Sequence, residues 1–204
     1  GLSRICGKDD IISPVTKVDE KIRASFAGVS PRNYKIPIRN FRSIDAFNSI
    51  RSRRLLTFEN HMPASDIRYF IGEETWNSYF KFTFDRNPFD KAVSLYYYLG
   101  GEKKYGSFKN FILNSKDLKY LDSFNLYSID GRVAVDKIYR FEEMQNALFD
   151  ISKRLRVETI CLPDKKAKGG LRKIDNYKDL FDDESKNIID ILLAREIKLL
   201  GYSY

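Results

Sequence analysis

The stretch YFKFTFDRNPFDKAVSLYYYL, Tyr79 to Leu99, changes its hydrophobic period half-way, and this restricts the possible folds more than any other feature of the chain. Up to Phe84 the pattern has period two: Phe80, Phe82 and Phe84 alternate with Tyr79, Lys81 and Thr83, which predicts a central strand. From Phe89 the apolar residues fall at 89, 92, 93, 96 and 97, a helical spacing that continues to Gly100. The residues between carry start signals for that helix. Asn87 can cap it, Pro88 fits a first turn where a missing N–H costs nothing, and Asp90 suits the positive end of the helix dipole. Arg86 therefore stands where a strand hands over to a helix.

The same alternation of strand and helix recurs along the chain. Thr16 to Ala27 reads as a helix with Thr16 and Asp19 at capping-box spacing, and Ser43 to Arg53 as a second, with Ile44, Phe47 and Ile50 on one face. RLLTF, at 54–58, is expected to be a short strand, ENHMPAS a loop, and Pro63 to Gly72 a helix. SFKNFILNS follows as a short helix, and LYSIDGRVAV as a hairpin turning on Asp130-Gly131, a pair that favours positive φ. KIYRF is a strand, Glu142 to about Arg156 an amphipathic helix, and Asp182 to Leu200 one long helix with Ile188, Leu192 and Leu199 inward. No repeat or linker divides the 204 residues, so a single domain spanning 1–204 is expected. Alternating elements of this kind predict an α/β fold whose mainly parallel central sheet is flanked by helices on both faces. The opening GLSRICG reads as the last turns of a helix stopped by Gly7, an expectation that the chain begins in mid-fold.

Composition narrows the function classes. No run approaches the ~18 apolar residues of a membrane span, so no stable membrane insertion is expected. Cys6 and Cys161 are far apart and His61 is the only histidine, too few soft ligands for a zinc site; no metal is expected, and both thiols read as buried and reduced. The chain has no Asn-x-Ser/Thr acceptor, which with the reduced thiols makes a cytoplasmic setting the expectation. The formal charge is +8, and Ser152 to Lys173 holds eight Lys or Arg residues against two acids. Such an excess attracts anions: nucleic acid, a nucleotide or an acidic saccharide, unless it is only a solvated loop.

In a sheet of this class ligands bind beyond the carboxyl ends of the strands, where Arg86 lies. Its planar fork suits a phosphate, and Ser94, one turn above Asp90 and off the apolar stripe, can donate to the same anion. The structural alternative is that Arg86 ties down its own turn and Ser94 merely fills the helix. FTFDRNPFDKAVSLYYYL resembles the 3′-phosphate-binding motif of sulfotransferases, strand, Arg-Asn-Pro, helix and a serine eight residues after the arginine, and more closely that of the carbohydrate sulfotransferase branch with its bacterial members. CGKDDIISPVTKVDEKIR, NHMPASDIR, YRFEEM and AREIKLLGYSY extend the resemblance over most of the chain.

The resemblance implies a three-layer, P-loop-like fold and a 3′-phosphoadenosine-5′-phosphosulfate (PAPS) donor, leaving as 3′,5′-adenosine bisphosphate. Arg86 and Ser94 would hold its 3′-phosphate. A late basic loop closes on the nucleotide in that family; KGGLRKIDNY is the candidate, with Arg172 and Lys173 best placed and Gly169 and Gly170 allowing movement. His61 aligns with a histidine that serves as base toward the acceptor hydroxyl in that branch, since a neutral imidazole can take a proton from an alcohol as the sulfur is attacked, and Glu59 is the fallback. The acceptor is expected to be a saccharide, and Tyr96, Tyr97, Tyr98 and Trp76 are either sugar-stacking or core residues. The family's first strand and phosphosulfate loop do not occur in this sequence, so an N-terminally incomplete domain is expected, with that half of the site unassigned. The rival expectation is a non-catalytic module that holds a polyanion or glycan on the same scaffold. A P-loop kinase is disfavoured because no GxxxxGK[ST] occurs, and no nucleic-acid-binding signature is present.

Overall fold

The computed structural model describes residues 2–161 and 172–204. It divides into two compact units, one of Gly1–Phe80 with Leu148–Ala167, the other of Lys81–Ala147 with Lys168–Tyr204.

The first unit is helical, with two short antiparallel contacts. α1 (Lys17–Ser25) starts at Thr16, whose hydroxyl accepts from the Asp19 N–H at 3.2 Å while Asp19 accepts from the hydroxyl, the expected reciprocal cap. α2 (Ser43–Ser52) ends on Arg53, in the left-handed region at φ 53°. α3 (Ala64–Ile71) follows Pro63 and stops at Gly72, and α4 (Glu73–Ser78) follows at once. The expected RLLTF strand is reduced to one bridge between Thr57 and Lys35, flanked by the bonds Ile36 N–H to Leu56 O and Phe58 N–H to Tyr34 O. Its partner, following Asn33 at φ 52°, is too brief for a longer ladder.

The second unit contains the strand-to-helix junction. β1 (Phe82–Asp85) is followed by α5 (Pro88–Tyr98), and the Asn87 side chain accepts from the N–H groups of Phe89 and Asp90, as the start signals require. α6 (Gly101–Tyr105), α7 (Phe108–Asn114) and α8 (Phe124–Tyr127) lead into the hairpin β2 (Ser128–Ile129) and β3 (Arg132–Val133). Asp130 and Gly131 take φ of 50° and 73°, the positive values expected of a tight turn. β4 (Lys137–Arg140) then pairs with β1 in parallel, with Phe82 opposite Lys137 and Asp85 opposite Arg140. α9 (Met144–Leu155) starts in this unit and from Leu148 on is counted with the first, and α10 (Asp183–Leu192) and α11 (Ala194–Leu200) complete the second.

The architecture is thus mixed α/β with a short parallel sheet. Among the described residues that sheet has two strands, narrower than the expected central one. The core of this unit is built on α5: Phe89, Ala92, Val93 and Tyr96 pack with Phe108, Phe111, Ile112, Leu121, Ile189 and Leu193.

Two further sequence expectations are corrected. The long terminal helix is broken at Leu193, where φ is −115° and ψ 27°, and the apolar register differs: Ile189 and Leu193 are buried whereas Leu192 and Leu199 are exposed. The break resets the helical phase, so one continuous wheel cannot describe both halves. Cys6 is half-buried and Cys161 exposed, both as free thiols, because each lies in a short connecting segment instead of on a core face. No helix among the described residues is long and apolar enough to cross a membrane.

Candidate functional site

At the carboxyl end of β1 three consecutive residues take different roles. Asp85 is buried and satisfied on all sides: Lys91 Nζ pairs with it at 2.7 Å, the Ser123 and Tyr127 hydroxyls donate to it at 3.0 Å each, and the Arg86 N–H donates at 2.8 Å. Buried charge is tolerated only when paired and hydrogen-bonded in this way. Burial, with the Asp85 carboxylate beside it, pushes the Tyr127 phenol above the ordinary tyrosine range. The network ties β1 to α5 and to the chain before α8, fixing the direction in which the chain leaves the strand.

Arg86 is next. Its Nε donates to Asp90, one helical turn on, and its guanidinium carbon lies 5.1 Å from the centre of the Phe141 ring. Both terminal nitrogens lack a hydrogen-bond partner among the described residues, and the side chain remains 27% exposed. A guanidinium held at Nε and backed by an aromatic face is oriented in advance, with both terminal NH2 groups left for a ligand.

Asn87 completes the junction. Its N–H donates to Glu142 Oε1 at 2.8 Å, and Glu142 Oε2 accepts from the Tyr202 hydroxyl at 2.7 Å. Burial first, and then the Glu142 carboxylate, push the Tyr202 phenol above its ordinary range.

The structure brings Arg86 and Arg172 together. Arg172 Nη1 donates to the other oxygen of Asp90, while its Nε and Nη2 donate to the backbone oxygens of Ile174 and Asp175 at 2.6 and 2.8 Å. Two guanidiniums share one carboxylate, so the cluster keeps one net positive charge. Lys173 turns elsewhere, onto Glu102, and that ion pair raises its pKa above the ordinary lysine value. Ser94 is half-buried on α5, one turn beyond Asp90, and its hydroxyl bonds to no described residue. Lys168, Gly169 and Gly170 of the expected loop, and Lys165 and Lys166 just before it, lie outside the described residues.

His61 is described within the first unit, whereas Arg86, Ser94, Arg172 and Lys173 belong to the second. It is exposed in the loop before α3 at φ 62°, a left-handed position, with Glu59 exposed two residues earlier and accepting from the Thr57 hydroxyl at 3.1 Å. Of the aromatic residues weighed for sugar stacking, Tyr96 and Trp76 are buried, Tyr97 is half-buried and Tyr98 is exposed.

The sequence does not reveal the residues that hold Arg86 and Asn87 in place. From its position Asp90 is expected only to favour the helix dipole, and neither Phe141 behind Arg86 nor Glu142 beneath Asn87 carries any spacing signal, because both arrive from β4 through pairing 55 residues away in sequence. Comparison with protein-family models, with curated proteins and with solved structures finds no match.

Proposed function

We propose that the protein is a sulfotransferase that moves a sulfuryl group from PAPS to a hydroxyl acceptor, with a saccharide as the acceptor class. The observation that carries this reading is Arg86: a guanidinium at the strand-to-helix junction, held by Asp90 and Phe141, with both terminal nitrogens available. A salt link that consumed the whole fork would have counted against it; this one engages Nε alone. The family resemblance rests on the sequence motif, and the reading takes the β1 and β4 pair as part of a three-layer, P-loop-like sheet.

In this reading Arg86 binds the 3′-phosphate of the nucleotide through a fork suited to paired oxygens, and Ser94 donates a further hydrogen bond. Arg172 adds positive charge from the candidate loop, and Lys173 would have to leave Glu102 to take part. The donor supplies an activated sulfuryl group: the acceptor oxygen forms a bond to sulfur as the bond from sulfur to the phosphate oxygen breaks, releasing 3′,5′-adenosine bisphosphate. His61 takes the acceptor proton, and Glu59 is the alternative base. Positioning and stabilisation of negative charge carry the catalysis, as in phosphoryl transfer, with no covalent enzyme intermediate.

Titration calorimetry with 3′,5′-adenosine bisphosphate tests the reading. Wild type should bind it, and Arg86→Ala should weaken binding by about tenfold to a hundredfold, the worth of a charge-assisted pair. Equal binding by both would remove the cofactor assignment. The non-catalytic alternative gives a different result: heparin-like polyanions would bind, adenosine bisphosphate would not compete, and affinity would collapse with salt whatever the ligand.

A further inference from the structure

α2 is mounted with its apolar side outward. Ile44, Phe47 and Ile50 lie at i, i+3 and i+6 along one stripe and are 58, 60 and 79% exposed, while Asp45 on the other side is buried. The usual rule for a surface helix is the reverse. The rotation is locked by the helix start: Asp45 accepts from the Arg42 N–H at 3.0 Å and from its Nε at 2.7 Å, and Arg42 also reaches Asp66 at 2.9 Å while lying over the Tyr69 and Phe70 rings. Drawing Asp45 inward forces its neighbours at 44, 47 and 50 outward.

The stripe is extended by exposed apolar residues on either side, Ile38 at 68% and Leu55 at 55%, and it is bordered by arginines. Arg39, Arg51, Arg53 and Arg54 are exposed and have no ion-pair partner among the described residues. From Lys35 to Arg54 there are six basic residues and one acid, and that acid is already bound to Arg42. A second copy of the chain would present the same positive charge and be repelled. An aliphatic and aromatic row among unpaired guanidiniums is instead complementary to a surface that is apolar beneath and anionic above.

We propose that the face of α2 is an interfacial docking surface for an anionic lipid bilayer, with Ile44, Phe47 and Ile50 entering the acyl boundary and the arginines meeting the headgroups. This inference is independent of the sulfotransferase reading, since it involves neither the junction nor a nucleotide.

Vesicle flotation with the 204-residue chain is the test. The chain should float with phosphatidylcholine vesicles containing about one-third phosphatidylserine and stay behind with pure phosphatidylcholine. Binding should fall about thirtyfold in Arg51→Ala/Arg54→Ala, given the usual worth of two basic residues at an anionic surface, and should fall steeply toward ~1 M salt. Phe47→Ser/Ile50→Ser should lose binding with an unchanged circular dichroism spectrum. If that variant fails to fold, the arginine pair still decides the matter. Failure to float with either vesicle, or equal flotation with both, overturns the proposal. So does sedimentation that shows self-association abolished by Phe47→Ser, which would assign the face to a second copy.

Discussion

Gly101 shows how tightly one residue can be held. It opens α6 beside Tyr96, and a Cβ at that position would stand 2.1 Å from Tyr96 Cδ2 and 2.3 Å from Cε2, inside a ring that is itself buried against Phe108 and Phe111. The ring has no room to retreat, so Gly101→Ala should destabilise by about 1–3 kcal/mol, the usual cost of overpacking, read as a lower midpoint in urea with an unchanged slope. Asp90 makes a second case. Removing its carboxylate leaves two guanidiniums facing each other, and Asp90→Ala should cost about 1–3 kcal/mol, while a much smaller loss would show that water already screens the pair. At this scale the sequence was legible where a residue acts through its own neighbours. Asn87 and Pro88 behave as helix-start residues because capping is local chemistry. The roles of Asp85 and Glu142 were not legible, because their partners come from segments tens of residues away.

Elements were readable in proportion to how far a single period explained them. β1, α5 and the Asp130-Gly131 hairpin have patterns that local burial and turn chemistry settle between them. The terminal helix misled because its two halves, α10 and α11, have separate phases either side of Leu193, and the last turn closes on Gly201 at φ 62° with the Tyr202 N–H bonded to Ile197 O. α2 is different: Ile44, Phe47 and Ile50 do share one face, but a periodicity cannot say whether that face is covered, and here the clamp of Arg42 on Asp45 turns it outward. That clamp has a pH signature. The hydrogen bond from Arg42 holds the Asp45 carboxyl below its usual range, against burial, which acts the other way. A carboxyl depressed in the folded state stabilises above the unfolded value of about 3.9, and the contribution disappears as pH falls through the folded value. Asp45→Asn should therefore be less stable than wild type by about 1 kcal/mol at pH 7, a modest figure because Arg42 is 39% exposed, and the two denaturation curves should converge below about pH 4.

At the scale of the molecule the α/β class was legible, because alternating periods do predict alternating elements, but the extent of the sheet was not. Hydrogen-bond partners of a strand are chosen by tertiary context, and RLLTF, which has good strand composition, finds only a single bridge. What holds the second unit together is aromatic to an unusual degree: Tyr204 packs edge-on against Phe89, Tyr177 and Phe181, and Tyr202 reaches back to Glu142 with its hydroxyl 3.2 Å from the Asp85 carbonyl oxygen. Buried phenols make such a unit sensitive to base. The phenols of Tyr127 and Tyr202 are both raised by burial and by a neighbouring carboxylate, so the fold favours their neutral forms. In the unfolded chain they ionise near pH 10. Stability is therefore whole below that value and is lost as pH rises above it, each phenol contributing a slope of about 1.4 kcal/mol per pH unit until its folded value is reached. Urea denaturation followed between pH 8 and pH 12, a range of about four units chosen to span the unfolded phenol value, should show this loss, and Tyr202→Phe, which has no proton to give, should flatten part of it while costing about 1 kcal/mol at pH 8 for the lost bond to Glu142. A variant as steep as wild type would mean that Tyr202 is open to solvent in the folded protein, and that Glu142 holds the Asn87 end of the junction without it.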